Sequence, residues 1–396
     1  MDKKRLLLYL GDTLVGDINQ FAKNRKLTET LKSEANNPSA DTFTFDINWK
    51  LFSDFIRNHF EDEPANFLRV GKTRIIFEID GFVRFAGWLS SKPARSGLGA
   101  SQTLSLTFYE WFARLSGDVV CSATNKLSPV RNFNNVPAHQ YVQALIGEFM
   151  DRAEDAGETL NWDFGHVDTL ANKTVSYKDF QTVAKALCDA MDNVTGAGKF
   201  DVVFRTDPAD YTHQFIDILK PRGTAKNIII QYPSDGVYKL WANDYAVQET
   251  NEYASEVIIA GNGQIGDESE TTAKIGTANN STFVQDYCYF RTYTSQSNLE
   301  SQDAVDDFAL TKLAASDFDT ETPEITLVGR PIAWGNASDQ DYGLAVGDSF
   351  YFNETNDDGT ENSGWYRIIG MDTSWDNNGV ATVTPQLKRE ELLDEQ

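Results

Sequence analysis

The chain has 396 residues, of which 41% are hydrophobic and 12% aromatic, a composition typical of folded protein and not of a disordered chain. Its 59 acidic residues outnumber its 35 basic residues, which gives a formal net charge of −24. This balance argues against a free nucleic-acid binder, which needs a basic surface, and against binding to an anionic membrane. At ~100–200 residues per domain, the length predicts two to four domains.

Cysteine usage and the N-terminus point to a protein that assembles in a reducing cytoplasm. The three cysteines, Cys121, Cys188 and Cys288, are far apart and odd in number, so they predict no disulfide framework. The apolar run in residues 1–10 is too short for a signal sequence and is interpreted as a first strand. Because no apolar run approaches the ~20 residues of a membrane span, we expect no membrane insertion.

Residues 1–116 carry patterns typical of β structure. The apolar run at residues 6–10 predicts a strand buried on both faces. Residues 42–49 alternate cleanly, with Phe43, Phe45 and Ile47 on one face, which predicts a half-buried antiparallel strand. The period then changes to that of a helix over residues 50–60.

Residues 117–198 predict an α-rich segment. Apolar residues at helical spacing favour one helix over residues 137–153 and a second over residues 176–191, with Ser176 as its N-cap. The second helix would present this apolar face: Phe180, Val183, Ala184, Leu187 and Met191. An α-rich segment between β segments indicates a separate or inserted domain.

Strand patterns return from residue 199 onward. The predicted strands are residues 200–204, 227–232, 237–240, 256–260 and 325–328. Residues 261–281 are rich in Gly, Asn, Thr and Glu and predict a hairpin or loop. Residues 301–316 predict a helix that begins with Ser301 as its cap.

One short pattern occurs twice, about 275 residues apart. Leu68-x-Val70-Gly71 and Leu344-x-Val346-Gly347 each precede an apolar strand, a turn, a return strand and a further strand. The return strands contain Gly87 and Gly370, at intervals of 16 residues (71 to 87) and 23 residues (347 to 370). The seven extra residues would lie in the turn, where insertions are tolerated. The pattern therefore predicts one β unit used twice.

The motifs of common catalytic and cofactor sites are absent. Four histidines show no paired spacing, and the sequence has no H-E-x-x-H, C-x-x-C, G-x-S-x-G, P-loop or G-x-G-x-x-G motif, so we predict no catalytic, cofactor-binding or metal-binding residues. Gly261-Asn262-Gly263 predicts a bend. The turn at residues 353–359 offers oxygens of Asn353, Thr355 and Asp357 but lacks a bidentate Glu at the calcium-loop distance, so a hairpin loop is favoured over a cation site.

Two other kinds of function stay open at this stage. Many carboxylates could form the acidic pair of a cell-wall hydrolase, but only a structure can show the spacing of two carboxyl groups. Five tryptophans could bind sugars, as in a carbohydrate-binding adhesin, although packing in a core or interface is the default for aromatic residues. They are Trp88, Trp241, Trp334, Trp365 and Trp375.

The order of elements resembles that of phage tail baseplate hub proteins. The N-terminal strands, the Leu68-x-Val70-Gly71 strand and Phe85-Ala86-Gly87-Trp88 resemble the first tube domain of Mu-type hubs and of the N-terminal part of siphophage tail-tip proteins. The resemblance implies an α+β, mostly β fold with two similar tube-type β-barrel or sandwich domains plus an inserted α/β domain. It places these boundaries: 1–116 for the first tube-like domain, 117–198 for the α-rich domain, 199–260 with 320–396 for the second tube-like domain, and 261–319 for a loop and helix excursion.

The resemblance also implies a function without catalysis. Hubs of this family are homotrimers, so two similar domains per chain would adapt a threefold hub to a sixfold tail tube. The implied partners are distal tail or tube proteins and tail fibre or tip proteins, in a virion or prophage tail assembled in the bacterial cytoplasm, with DNA passing through unbound. Because the chain stops just after the second β unit, no lytic activity is carried over from longer relatives. The hub of a contractile injection system is an alternative with the same features.

Overall fold

The computed structural model describes most of the chain. The described residues are 4–32, 40–60, 63–91, 94–96, 102–122, 128–177, 180–192, 200–220, 223–232, 240–242, 244–248, 254–263, 272–281, 289, 291–296, 299, 301–314, 322–328, 344–354, 363–376 and 380–390. The fold is α+β and mostly β, as predicted, with a 15-stranded sheet as its largest part. No helix in the described ranges is long and apolar enough to cross a membrane.

The elements follow one another in this order along the chain. The strands are β1 (Lys4–Leu10), β2 (Thr13–Asp17), β3 (Ala22–Thr30), β4 (Thr42–Asn48), β5 (Thr73–Ile79), β6 (Phe82–Leu89), β7 (Ala94–Ser96), β8 (Thr103–Glu110), β9 (Arg131–Pro137), β10 (Trp162–Val167), β11 (Asn172–Tyr177), β12 (Asp201–Thr206), β13 (Gln214–Leu219), β14 (Ala225–Tyr232), β15 (Leu240–Trp241), β16 (Asp244–Gln248), β17 (Glu256–Ala260), β18 (Ile275–Asn279), β19 (Arg291–Ser295), β20 (Thr322–Val328), β21 (Ser349–Glu354), β22 (Gly364–Trp375) and β23 (Ala381–Arg389). The helices are α1 (Trp49–Phe60), α2 (Ala138–Asp155), α3 (Val183–Asp192) and α4 (Gln302–Ala314).

The N-terminal strands form an antiparallel sheet whose inner face is a core of aliphatic and aromatic side chains. β4 alternates as predicted, and Phe43, Phe45 and Ile47 are each at most 1% exposed. β1 is buried on both faces, also as predicted. Leu6 and Leu8 belong to the main core, whereas Leu7 packs on the opposite face against Ile76 and Ala86.

The C-terminal strands continue this sheet and share its core. β22 pairs with β21 and β23 from the C-terminal part of the chain and with β3 from the N-terminal part. Trp375, at the end of β22, is 3% exposed, and its ring lies 5.2 Å from that of Phe77 and 6.5 Å from that of Phe43. The two ends of the chain, more than 200 residues apart in sequence, are therefore joined both by strand pairing and by one hydrophobic core.

A second core lies in the middle of the chain, around α2 and α3. The strands β9 to β13 pair in a two-stranded and a three-stranded sheet, and their apolar residues pack on the two helices. Phe200 and Val202 of the β12 region, at the start of the segment predicted for the second tube-like domain, also belong to this core. The domain boundaries themselves stay a prediction.

The start of the second predicted helix is wrong. Ser176 lies in β11, where its hydroxyl bonds the side chain of Asn132, and α3 begins only at Val183. Thr182 takes the capping role, because its Oγ1 accepts the N–H of Lys185 at 3.2 Å. Phe180, predicted for the apolar face of the helix, lies before the helix and is 53% exposed. The remaining face is buried as expected: Val183, Ala184, Leu187 and Met191.

A small third cluster contains the residues predicted as a hairpin and a helix. β17 pairs antiparallel with β18 and parallel with β19, and Val257, Ile259 and Val305 of α4 are buried between sheet and helix. The predicted helix over 301–316 corresponds to α4, with the N–H of Ala304 donating to the Ser301 hydroxyl at 3.1 Å. Of the predicted strand at 237–240, residues 237–239 lie outside the described residues.

Candidate functional site

The same five-strand unit occurs in both halves of the large sheet. In the first half the strands lie in the order β3-β4-β8-β6-β5, and in the second in the order β16-β20-β23-β22-β21, with every neighbouring pair antiparallel. The chain runs through each unit in the same sequence. The predicted repetition of a β unit is thus present as strand topology, and it extends to two strands that the sequence pattern did not include.

The strand pairings align the two units residue by residue. Ile47 pairs with Leu104 in the first unit, and Leu327 pairs with Val383 in the second. All four side chains are buried, and β4 and β20 have the same length of seven residues. Corresponding positions therefore contribute corresponding core side chains.

The glycines that precede β5 and β21 are equivalent, but the later pair of glycines is not. Gly71 and Gly347 adopt φ of +77° and +98°, a left-handed conformation that suits glycine, and their N–H groups donate to the carbonyls of Leu89 and Ile368. Gly87 lies opposite Glu110, whereas Gly370 lies opposite Gln386. Because Glu110 and Gln386 fall three positions apart in the aligned strands β8 and β23, the predicted equivalence of Gly87 and Gly370 is wrong.

The two units are joined edge to edge between β3 and β22. Six consecutive residue pairs run antiparallel from Gly370–Thr30 to Trp375–Arg25. Asp372 strengthens this junction, since it accepts a hydrogen bond from the Thr28 hydroxyl at 2.5 Å and forms an ion pair with Lys26 at 3.0 Å. The joint is therefore a continuation of the sheet and not a flexible linker between two bodies.

The outer face of the joined sheet carries mainly small hydroxyl side chains. We call this surface the hydroxyl face; it comprises Thr28, Thr42, Thr44, Thr103, Ser105, Thr107, Thr326, Ser374, Thr382 and Thr384 together with the charged residues Lys23, Lys26, Asp46, Glu324, Arg367, Asp372 and Lys388. These residues alternate with buried ones along their strands and are half-buried or exposed. With four basic against three acidic residues, the face is close to neutral, so the net charge of −24 is carried elsewhere.

A cavity of about 800 Å³ separates the first unit from the helical core. Its charged walls are paired with one another: Arg114 with Glu158 at 2.5 Å and Arg152 with Asp118 at 2.6 Å. The Arg114 guanidinium also lies over the ring of Trp88, 5.5 Å from its centroid. Both ion pairs lie within the helical part, whose core includes Trp111, Phe112 and Leu115, and the Arg114–Trp88 contact reaches β6 of the first unit. Each carboxylate of the cavity lining is thereby paired with an arginine.

A buried ionic cluster lies where β3 and β8 end and β4 begins. Lys32, 4% exposed, reaches Glu110 at 2.8 Å and Asp41 at 3.3 Å. Burial raises the pKa of Glu110 above its ordinary value, and the Lys32 ammonium opposes that shift. Since Lys32 covers the carboxylate and Glu110 does not line the cavity, the cluster fits a structural role at this corner of the sheet.

The other side chains considered for chemistry lie apart from one another. His59 bonds the carbonyl of Phe55, and His139 accepts the N–H of Leu170. Among the described residues, no group of His, Cys, Asp and Glu could hold a metal ion. Most of the turn at 353–359, including Thr355 and Asp357, lies outside the described residues, and so does Trp334.

The remaining tryptophans are mostly engaged within the fold. Trp375 is core, Trp88 packs edge-on against Tyr109 with ring centroids 6.3 Å apart, and Trp365 packs against Tyr351 at 6.0 Å. Trp241 lies in β15, whose backbone pairs with β14. Packing, the default interpretation of these residues, therefore accounts for Trp88, Trp365 and Trp375.

Comparison with solved structures finds the same fold in prophage tail proteins. A 43 kDa tail protein of prophage MuSo2 from Shewanella oneidensis matches with a TM-score of 0.61 at 12% identity, over 98% of this chain and 100% of that chain. The chain has the fold of a phage tail protein. A tail protein from Neisseria meningitidis matches with a TM-score of 0.59 at 13% identity, over 99% and 98% of the two chains.

A third tail protein matches more distantly. A prophage tail protein from Listeria monocytogenes has a TM-score of 0.52 at 8% identity, over 98% of this chain and 96% of that chain. No protein-family model matches the sequence, and no curated protein matches it at a significant level. The shared phage tail fold thus extends over nearly the full length of the chain, at identities too low to carry residue roles.

Proposed function

We propose that the chain is a structural virion protein, the trimeric hub of a phage baseplate or tail tip. The observation that carries this proposal is the repeated five-strand unit, joined edge to edge through β3 and β22. Two equivalent units per chain give six around the axis of a trimer, which lets a threefold hub meet a sixfold tail tube. The fold of prophage tail proteins over the whole length supports the same role.

In this role the hub connects the tail tube to the parts that adsorb to or penetrate the host cell. Its partners are tube or distal tail proteins on one side and fibre or tip proteins on the other, within the virion tail. The protein acts by assembly and not by catalysis. The paired charges in the cavity and the covered Glu110 carboxylate are consistent with this assignment.

We assign the hydroxyl face to the channel through which DNA passes. DNA binds proteins mainly through basic side chains on its phosphates, and on this face three acidic residues offset the four basic residues. One of them, Lys26, is paired with Asp372. A near-neutral surface of short hydroxyl groups would let the duplex slide without a strong electrostatic hold.

Added lysines on the hydroxyl face are expected to slow DNA ejection. In phage particles carrying Thr44→Lys and Thr384→Lys, one on each unit, ejection should slow by roughly fivefold or more because each trimer gains six phosphate-binding groups, and the effect should shrink as salt is raised. Ejection rates can be followed by fluorescence of a DNA-binding dye at several salt concentrations.

A matched control places the same charges elsewhere. Thr159 and Gln140 are exposed residues of the helical region, so Gln140→Lys with Thr159→Lys adds the same charge away from the sheet and should leave the ejection rate unchanged. Equal rates for the sheet variant and the wild type, in particles of normal assembly, would contradict the channel assignment.

A further inference from the structure

One path through the joined sheet ends in two strands that each have a single neighbour. The strand path runs β16-β20-β23-β22-β3-β4-β8-β7. Within the described part of the chain, β16 pairs only with β20 and β7 only with β8. An unpaired strand edge presents a row of backbone donors and acceptors, which is a template for another strand.

The first end strand, β7, is the equivalent of the strand segment that forms the internal junction. Ala94, Arg95 and Ser96 pair with Ser105, Leu104 and Thr103. In the second unit, Asp372, Thr373 and Ser374 pair with Thr384, Val383 and Thr382. Because Leu104 corresponds to Val383, β7 corresponds to residues 372–374 of β22, whose other edge binds β3.

The second end strand, β16, is the equivalent of the partner in that junction. Thr28 lies opposite Thr42 in the first unit, and Gln248 lies opposite Thr322 in the second. Thr42 and Thr322 are the first residues of β4 and β20, which align along their whole length. Residues 246–248 of β16 therefore correspond to residues 26–28 of β3.

We infer that β16 of one copy of the chain pairs antiparallel with β7 of the next copy and so repeats the β3–β22 junction. Carrying over the internal pairs Asp372–Thr28, Thr373–Leu27 and Ser374–Lys26 gives the intermolecular register. It places Gln248 opposite Ala94, Val247 opposite Arg95, and Ala246 opposite Ser96.

A second copy of the chain is the occupant that the structure favours. The chain already contains one junction of this kind, and the two halves of the next one lie at opposite ends of the same strand path. A contact between two different surfaces of one chain is heterologous, and it generates a closed ring when the rotation closes. The number of copies, three, rests on the proposed function, whereas the strand pairing and its register do not.

The register can be tested by disulfide cross-linking of the full chain. The double variant Ala94→Cys with Gln248→Cys, made with Cys288→Ser, should cross-link between copies on mild oxidation, because directly opposed residues have Cα atoms about 4.5–5.5 Å apart. Cys121 and Cys188 are buried and can stay in place. Since every chain carries both cysteines, non-reducing electrophoresis should show closed trimers as the main product.

Two variants guard against a misleading result. Ala94→Cys with Asp244→Cys moves one cysteine four residues along β16, about 13 Å away, where no disulfide can form without backbone movement; its cross-linked yield should be at least tenfold lower. Ser96→Cys with Ala246→Cys tests the same register at a second pair, in case the first variant does not fold.

The outcomes separate this inference from the proposed function. Light scattering of the same samples that shows a trimer, with no cross-linking above the Asp244 control at either pair, would overturn the strand pairing and leave the hub assignment intact. Faster cross-linking of the Asp244 variant would overturn the register. A monomer at every concentration would instead count against the proposed function itself. Closed covalent trimers at both predicted pairs would establish the pairing.

Discussion

Replacing Trp375 by Ala is expected to lower the free energy of unfolding by about 3–5 kcal/mol, the usual cost of removing a large buried aromatic side chain. Trp375 is 3% exposed and packs edge-on against Phe77 and near Phe43, at the point where the C-terminal unit meets the N-terminal one. Its loss leaves a cavity in the core that both units share. Urea denaturation followed by circular dichroism measures the change.

The control for this variant is Phe82→Ala. Phe82 lies at the β5–β6 turn and is 44% exposed, so its removal should cost less than about 1 kcal/mol. Equal losses for Trp375→Ala and Phe82→Ala would show that the two units do not depend on a common core.

Replacing Lys32 by Met is expected to cost about 3–5 kcal/mol at neutral pH, because it leaves a buried carboxylate without its counter-ion. The Lys32 ammonium lies 2.8 Å from Glu110 and is 4% exposed. The matched control is Lys50→Met: Lys50 pairs with Asp54 at 2.6 Å but is 57% exposed, and loss of such a surface pair should cost less than about 1 kcal/mol.

The loss caused by Lys32→Met should depend on pH in a defined direction. Burial already raises the pKa of Glu110 in the folded chain, and without the ammonium that pKa should rise further. A carboxyl group whose folded pKa exceeds its unfolded value, about 4.3 for Glu, stabilises the fold below the unfolded pKa and loses this effect as pH rises through the folded pKa. The gap between variant and wild type should therefore be widest near pH 7 and narrow as pH falls toward about 4.3. A gap that stays constant with pH would contradict this role of Glu110.

Individual strands and helices with clear periodicity were predictable from the sequence. β4, α1, α2 and α4 lie within a few residues of the predicted positions, because alternation and helical spacing of apolar residues report directly on which face is buried. The start of α3 was not, since Ser176 is a good N-cap by residue type but serves as a strand residue in β11. The pairing of β11 with β9 outweighs the local preference of Ser176 for the start of a helix.

The junction between the two units could not be predicted from the sequence. β3 carries Lys23, Asn24, Arg25 and Lys26 in succession, and a bulge between its pairs with β4 breaks the alternation. The pattern that identified the repeat was the glycine before β5 and β21, where a positive φ demands that residue type. The second pair of glycines, Gly87 and Gly370, was wrongly predicted to be equivalent, because Gly370 follows a register shift in β22 that sequence spacing does not reveal.

In the proposed assembly, the two equivalent β units of each chain build a threefold hub. Its most direct test is the mass of the purified full-length protein by multi-angle light scattering across a wide range of concentrations. We expect a single species of three times the 44.3 kDa of one chain, stable on dilution because the proposed interface would continue the sheet. A species of 44.3 kDa at every concentration would contradict a threefold hub.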